Sequence, residues 1–474
     1  MSDLDAIEAY YLPGISEQVE YTELKFESRD KKVELKVPKL TSKIIKEVAT
    51  SIKSARNNYL AKKSTDEIVD IIDQVTSNWK NNNYDLKKEA LENLPTITKY
   101  SRPMVELAID GIVGMFDKEN TKKMLEAELE DPKYLDEFRP KKGFRGLVKA
   151  YGPELVTNIF AGNVPALPLL SINRDLLVKS ATLGKSASEE PLFPALYAKS
   201  IEDVEPELAK TIAICYWQGG DKEIEDTAFG EADAIVAFGG ELSIGNIKKR
   251  VPAEKKFIGY GHKMGFGVIG KEYLEDEQRA KEIADKAAVD VSAYDQWGCL
   301  SAQVLYVEKD GKINPEHFTD LLAEGMEKFD KRIPRGKIPI EDAGKINQLR
   351  GGYEIRELAG EDVKLCYSEK STNWTVIYEG SKEFVPTCGN RVIRVKPIDN
   401  IDEVKDLVKP ISKYLQSIGV ALPEDKIYKF SDEMGKLGAA RITPIGQMPA
   451  PQQGIPHDGS YGLRDLLRWA CIEE

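Results

Sequence analysis

Val236-Ala-Phe-Gly-Gly-Glu-Leu-Ser-Ile-Gly245 reads as a buried strand that runs into a Gly-Gly turn and out into a helix. Such a turn points free backbone N–H groups at an anion, and a phosphate is the usual occupant. The spacing is not the GxGxxG fingerprint, and Glu241 inside the turn opposes a phosphate, so the stretch gains meaning only from its neighbours. Those neighbours repeat its texture. Short apolar runs recur at Val156–Phe160, Leu176–Val178, Ile212–Tyr216, Ala234–Phe238 and Phe257–Gly259, with turns and helical stretches between them. They read as the strands of a doubly wound α/β layer. Gly162, Gly239-Gly240 and Gly261 stand where strands end. Ligands of open α/β sheets bind at those carboxyl ends.

Upstream, residues 18–38 alternate in places, with a turn expected at Arg29-Asp30-Lys31, so a hairpin or β arm is expected. From about 41 to 130 the pattern is helical, with Ile44, Ile45, Val48 and Ile52 on one apolar face. Downstream, a long helix is expected from Glu275 to about Tyr294, then a turn, Asp295-Gln-Trp-Gly298, then Cys299 and a strand over Gln303–Glu308. Further helices are expected at 314–330, 340–359 and 401–417, and strands at 363–368, 374–379 and 391–396. The tail from 435 is rich in Gly and Pro, and its apolar run Leu463–Trp469 is expected to pack back onto the body. The expected divisions are 1–145 (arm and helical layer), 146–270 (cofactor domain), 271–434 (thiol-bearing catalytic domain) and 435–474 (returning tail).

The 474 residues exceed what one simple core supports. A formal net charge of −12 disfavours general nucleic-acid binding. The first residues carry neither a basic nor an apolar signal region, and no apolar run approaches the roughly 20 residues of a membrane span, so a cytoplasmic protein is expected. Five scattered cysteines, without a CxxC pair, and three distant histidines point to free thiols and no metal site.

Cys299, between Gly298 and Leu300 at the junction of a helix and a buried strand, is the candidate nucleophile; a small inert core residue is the alternative. Four motifs around it appear in a set order. Gly162-Asn-Val-Pro165, Arg174-Asp-Leu-Leu-Val-Lys179, Phe238-Gly-Gly-Glu-Leu-Ser-Ile-Gly245 and Gln296-Trp-Gly-Cys299 resemble motifs of the aldehyde dehydrogenase superfamily. That resemblance implies a Rossmann-type cofactor domain plus an α/β catalytic domain. It assigns Cys299 as nucleophile, Asn163 to the oxyanion hole, Lys179 at a strand end to the cofactor, and Phe238, Gly239, Gly240 and Gly245 to the cofactor turn. Thr182 takes the place of an acid found in NAD-preferring relatives, which makes NADPH the expected cofactor, with Lys185 nearby and NADH as the second choice. Gly259-Tyr-Gly-His-Lys263 matches the aldehyde oxidisers' Glu-Leu-Gly-Gly-Lys, and Gly259 replaces their water-activating Glu. Without that base, thioester chemistry is favoured over acid formation.

A narrower resemblance rests on Gly261-His-Lys-Met264, the Cys299 segment, and the tail Arg441-Ile-Thr-Pro-Ile-Gly446 with His457-Asp-Gly459. These are similar to the LuxC family of long-chain acyl-CoA reductases, first known from bacterial luminescence. The family implies NADPH-dependent reduction of a fatty acyl thioester to an aldehyde through an acyl-cysteine. The implied partners are an acyl-CoA or acyl-protein donor, an acyl synthetase or transferase, and further copies of the chain. His262 and His457 are candidates for proton handling or simple turn residues. Trp297 and Phe266 are candidates for an acyl tunnel or for the core. The rival readings are a CoA-acylating dehydrogenase of short aldehydes and a non-redox acyl-transfer subunit.

Overall fold

Ser64 and Glu67 close a reciprocal capping box, which starts the helix Thr65–Lys80 by satisfying its free amide groups. This helix is one of a layer made by Ser42–Asn58, Thr65–Lys80, Asp85–Thr98, Arg102–Gly114 and Lys118–Leu129. In the first of them Ile44, Ile45, Val48 and Ile52 are buried, as their spacing dictates. The computed structural model describes residues 6–15, 19–28 and 31–473. Strands Tyr21–Glu27 and Lys32–Pro38 pair antiparallel as the expected hairpin. Arg29 and Asp30 of the expected turn, and Gln18 at the start of the arm, lie outside the described residues.

The chain forms two compact units. One comprises Met1–Gly261, Gln452–Ile455 and Ser460–Glu474, the other His262–Pro451 and Pro456–Gly459. In the first, a five-stranded parallel sheet has the order Lys256–Tyr260, Ala234–Phe238, Leu155–Ile159, Ala181–Lys185, Ile212–Cys215. The chain starts at Leu155–Ile159, builds outward on one side, then crosses to the other. The strands Leu155–Ile159 and Ala234–Phe238 therefore flank a topological switch point, and Gly162 and Gly239-Gly240 follow them there. In the same unit the tail strand Arg468–Glu473 pairs antiparallel with Gly146–Tyr151.

The second unit holds a seven-stranded sheet, ordered Val363–Tyr367, Thr375–Glu379, Val392–Ile398, Ala302–Glu308, Met264–Ile269, Leu415–Ala421, Arg441–Pro444. Its first pair is antiparallel and every other pair parallel.

Three expectations are corrected. Leu176–Val178 is not a strand: Leu176 and Leu177 end the helix Pro168–Leu177, and the strand comes later, at Ala181–Lys185. Pro168 favours a helix start, and Leu169, Ile172 and Leu176 are buried at helical spacing; a three-residue apolar run cannot separate the two periods. The helix expected at 401–417 shrinks to Val404–Val408 with flanking 3-10 turns, and Leu415 opens the strand Leu415–Ala421. Pro410 breaks the α-helical ladder there. The boundary expected for a cofactor domain at 270 is not where the first unit ends, because Met264–Ile269 sits in the middle of the second sheet. The units divide at Gly261–His262, the helical layer shares a unit with the first sheet, and the tail is split between both units.

The strand Met264–Ile269 was hard to see because Gly265 and Gly267 interrupt its apolar run, and glycine is a poor strand former. Packing explains them. A Cβ on Gly265 would lie 2.9 Å from the Ser417 carbonyl oxygen and 3.0 Å from that of Ser301. Gly265→Ala is expected to lower stability by about 1–3 kcal/mol, read as a fall in Tm, because backbone on both neighbouring strands must move. Gly114→Ala, at a helix end with open space around it, should leave Tm unchanged or raise it.

Candidate active site around Cys299

The helix Glu277–Ser292 does not run smoothly into the Cys299 turn. Tyr294, Asp295 and Gln296 all have positive φ (53°, 50° and 67°), a conformation that costs a non-glycine residue about 1–2 kcal/mol. A second such turn faces them, with Gly389, Asn390 and Arg391 at φ 69°, 59° and 62°. The two turns are joined residue by residue. The Asp295 carboxylate accepts a hydrogen bond from the buried Arg391 Nε at 2.9 Å, and a terminal nitrogen of the same guanidinium stands 2.7 Å away as an ion-pair contact. Its other oxygen accepts the Gly336 N–H at 2.9 Å. Gln296 donates to the carbonyls of Ala302 and Val392, each at 2.8 Å, and accepts the Val392 N–H at 2.9 Å. The Trp297 indole donates to the Asn390 side chain at 3.3 Å. Burial pushes the Asp295 carboxyl up, with Arg391 opposing the shift. Removing one member of such a buried pair typically costs about 3–5 kcal/mol.

Cys299 follows at once, in a turn closed by the Ser301 N–H on the Gly298 carbonyl at 3.0 Å. It precedes the strand Ala302–Glu308, so it lies at that strand's amino end. The neighbouring strands bring other groups to the same level. Lys263 precedes Met264–Ile269, Gln416 is the second residue of Leu415–Ala421, and Asn390 and Arg391 precede Val392–Ile398. From the tail, Asp458 (φ 52°) enters this unit and accepts a bond from Gln416 Nε2 at 2.6 Å. His457 Nδ1 stands 3.9 Å from Asp458 Oδ1.

Burial pushes the Cys299 thiol up to about 12, and the negative charge of Asp458 adds to this. Its own backbone N–H, the Gln416 side chain and the charge of Lys263 act the other way. Burial also raises the Asp458 carboxyl, with Lys263 opposing. The other thiols differ. Cys215 is fully buried and pushed up to about 12 by burial alone. Cys366 is pushed up to about 11 by burial first, with Asp320 adding. Cys388 is raised chiefly by burial.

His262 is exposed, with its ring 6.1 Å from that of Tyr414 in an edge-on approach. Phe266 is wholly buried against Tyr306 and Phe384, which makes it a core residue. Trp297 keeps 48% of its surface exposed. Among the described residues, no group of three or more His, Cys, Asp or Glu side chains could hold a metal ion, and no helix is long and apolar enough to cross a membrane.

In the first unit Asn163 is exposed in the loop after Leu155–Ile159, and its carbonyl accepts the Tyr100 hydroxyl at 2.7 Å. Phe238 stacks on Tyr260 at 4.7 Å, and Gly240 caps the helix Glu241–Lys248, which contains Gly245. Gly259 stands on the strand Lys256–Tyr260, where a Cβ would meet Ile244 Cγ2 and the Phe257 ring at 2.9 Å.

Two expected cofactor residues lie elsewhere. Lys179 follows a helix, at φ 59°, with Nζ 2.5 Å from Asp136 and its carbonyl bonded by Arg56 at 2.7 Å. It precedes the strand Ala181–Lys185 and so sits at the amino end of the sheet. Thr182 is wholly buried, and its hydroxyl is used on Asp175 at 2.8 Å. The lysine at the carboxyl end is Lys185, 7% exposed, its ammonium pulled down by burial, with Glu225 and Glu189 opposing. Near it in sequence, Ser186 Oγ and Glu190 Oε2 are buried without a partner among the described residues, as is Trp217 Nε1 just past Ile212–Cys215. Orphaned polar atoms at the carboxyl end of a doubly wound sheet fit the hydroxyls and phosphates of a dinucleotide.

Residues 60–469 match the LuxC family of acyl-CoA reductases. The chain belongs to that family. Curated relatives include the long-chain acyl-protein thioester reductases of Vibrio harveyi (24% identical, spanning 88% of this chain and 84% of the relative) and Photorhabdus laumondii (26%, 86% and 82%). The fold is that of the aldehyde dehydrogenases. Similar solved structures include aldehyde dehydrogenase 21 of Physcomitrella patens, with a TM-score of 0.74 at 16% identity over 98% of both chains. Another is an NAD-dependent benzaldehyde dehydrogenase of Corynebacterium glutamicum, with a TM-score of 0.69 at 15% identity over 96% of this chain and 95% of that one.

Two outcomes test this geometry. Gln296→Ala removes the three bonds that this side chain makes to the backbone around the turn, so chemical denaturation should show a loss of about 3 kcal/mol. A thiol pushed up to about 12 is almost wholly protonated at neutral pH. Iodoacetamide should therefore label Cys299 about tenfold faster for each unit of pH between 8 and 10, followed by peptide mass spectrometry. A plateau below pH 9 would mean that the resting enzyme already holds a thiolate.

Proposed function

We propose that the protein reduces a long-chain fatty acyl thioester to the aldehyde, with Cys299 carrying the acyl group. The observation that supports this most is the setting of Cys299. Of the cysteines described, it is the one with a side-chain amide, that of Gln416, acting on its sulfur, and it sits on a turn locked by Asp295, Gln296 and Arg391. A nucleophile needs a fixed approach and a donor that favours its anion, and an inert core thiol needs neither.

In this reading Cys299 attacks the acyl carbon and the donor thiol leaves. The backbone N–H of Cys299 and the Asn163 side chain are our candidates for holding the oxyanion, the second on the strength of the family resemblance. One such donor is worth roughly 3–4 kcal/mol. When bound, a reduced nicotinamide dinucleotide supplies the hydride that converts the acyl group to an aldehyde. Lys185, the Phe238–Gly240 turn and the start of the helix Glu241–Lys248 are the groups we assign to holding it, in place of Lys179 and Thr182. Lys185 favours a 2′-phosphate and Glu189 opposes one. NADPH is the reductant the family implies, with NADH second. The relatives' names point to a protein-bound acyl donor, and the family's name to acyl-CoA. Gly259 leaves no carboxylate where the aldehyde oxidisers carry theirs, which fits transfer to hydride or thiol rather than to water.

Incubation with a long-chain acyl-CoA and no reductant should add one acyl mass to the Cys299 peptide, and NADPH should then release aldehyde. Acylation and turnover that persist in Cys299→Ala would refute the assignment. Lys185→Ala should raise KM for NADPH at least tenfold and for NADH less. Lys179→Ala should lower Tm and leave both KM values nearly unchanged, because its charge is used against Asp136.

A further inference from the structure

A thiol held as thiol cannot attack a thioester until its proton has somewhere to go. In the second unit the negative charge that bears on the Cys299 sulfur is that of Asp458, and the positive charge is that of Lys263. Lys263, a cation, is no acceptor. Asp458 is mostly buried, its side chain 12% exposed, and His457 Nδ1 stands 3.9 Å from it on the more open side, 30% exposed. Between Asp458 and Cys299 lies one carboxamide. Gln416, 2% exposed on the strand Leu415–Ala421, gives an N–H to Asp458 Oδ1 at 2.6 Å and also acts on the Cys299 sulfur. The strands that carry Gln416 and follow Lys263 and Cys299 lie side by side, so their amino ends bring these groups to one edge of the sheet. The Gln416 Oε1 atom is buried without a hydrogen-bond partner among the described residues. The amide is therefore turned by what its nitrogen serves, and a flipped amide would set its oxygen against the Asp458 carboxylate.

We propose that Asp458 takes the proton that Cys299 loses during acyl loading, and that Gln416 holds carboxylate and sulfur beside each other for that transfer. This rests on the acyl-cysteine reading above. The Cys299 S–H bond breaks and an S–C bond forms to the acyl carbon. The donor's own C–S bond breaks, and its thiolate departs with the proton that Asp458 received, so nothing is oxidised or reduced. The opposing shifts of the two groups suit the exchange: burial raises the carboxyl, which makes it a better base, while its charge keeps the resting thiol protonated. Asp458 is the proton acceptor, and Gln416 acts on the reacting sulfur as its donor. Lys263 and His457 are the other charged or titratable groups that face the pair.

The test takes the full-length protein, hexadecanoyl-CoA as acyl probe and iodoacetamide as thiol probe, in the native chain, Asp458→Asn and Gln416→Ala. Asp458→Asn should load acyl groups at least tenfold more slowly at pH 7, yet its alkylation profile should move to lower pH, because the charge that opposes the thiolate is gone. Gln416→Ala should move the alkylation profile to higher pH, because the thiolate loses a donor. Opposite shifts from two neighbouring substitutions are not what a loosened loop produces. Unchanged loading in Asp458→Asn, or an unmoved alkylation profile in both variants, overturns the proposal. Should the native Cys299 accept no acyl group from any thioester donor, the acyl-cysteine reading falls. The opposed alkylation shifts would still establish Asp458 and Gln416 as the pair that governs this sulfur, and their absence would remove that as well.

Discussion

The buried pairing of Asp295 with Arg391 holds together two left-handed turns, and the second unit's chemistry depends on it. Each turn contains residues that resist its shape, Tyr294 and Gln296 in one and Arg391 in the other. Tyr, Asp, Gln, Asn and Arg all carry a Cβ that crowds the backbone at positive φ. Each turn persists because the other satisfies it: a guanidinium against a carboxylate, and a glutamine side chain that serves three backbone groups at once. The strain is offset locally, and Cys299 is its neighbour. A turn with one strained shape and many fixed partners does not wander, which is what a nucleophile requires of its support.

The same unit uses the amino ends of its strands. In open α/β sheets the carboxyl ends are the expected place for a ligand, and the first unit has such groups there: Lys185 ends its strand, and Gly162 and Gly239-Gly240 follow theirs at the switch point. In the second sheet Lys263, Cys299, Asn390 and Gln416 stand at or just before four adjacent strands. Parallel pairing is what gathers them. Residues that precede neighbouring parallel strands come to one edge whatever their distance along the chain. Here that edge collects groups from Lys263 to Gln416, and Asp458 joins them from the tail.

Buried charge recurs through this unit without reaching the sulfur. Lys396 and Arg394 meet Glu379 and the Tyr353 hydroxyl in the core, and Arg350 serves the carbonyls of Ser371 and Trp374. These clusters tie the outer strands to the helix Ile340–Leu358 and leave the Cys299 neighbourhood to one acid, one amide and one lysine. Burial raises the thiol first, and where water is kept away the charge of one carboxylate, Asp458, adds to it.

The order of motifs, the family and the identity of Cys299 as candidate nucleophile were all legible in the residues, because each rests on a local pattern: a strand into Gly-Gly, a helix into a turn into a strand, a Gly where a Glu is customary. Locality also marks where the reading failed. Arg174–Lys179 looked like a strand ending in lysine, yet Leu169, Ile172 and Leu176 close a helix, and the lysine at a strand end is Lys185. Apolar runs of three residues fit both periods, and only packing on both sides decides between them. Met264–Ile269 was hidden by glycines that make no strand on their own and are needed because two neighbouring backbones press on the first of them. Gln416 and Asp458 carry no signal that a single sequence can show, since an isolated Gln and an Asp in a turn are ordinary. The sequence by itself determined the order of the motifs, the family, most of the strands and turns, and Cys299 as the candidate nucleophile. The tertiary structure alone decided what stands beside Cys299, because burial, the raised carboxyl and the turned amide arise only when strands distant in the chain lie side by side and exclude water.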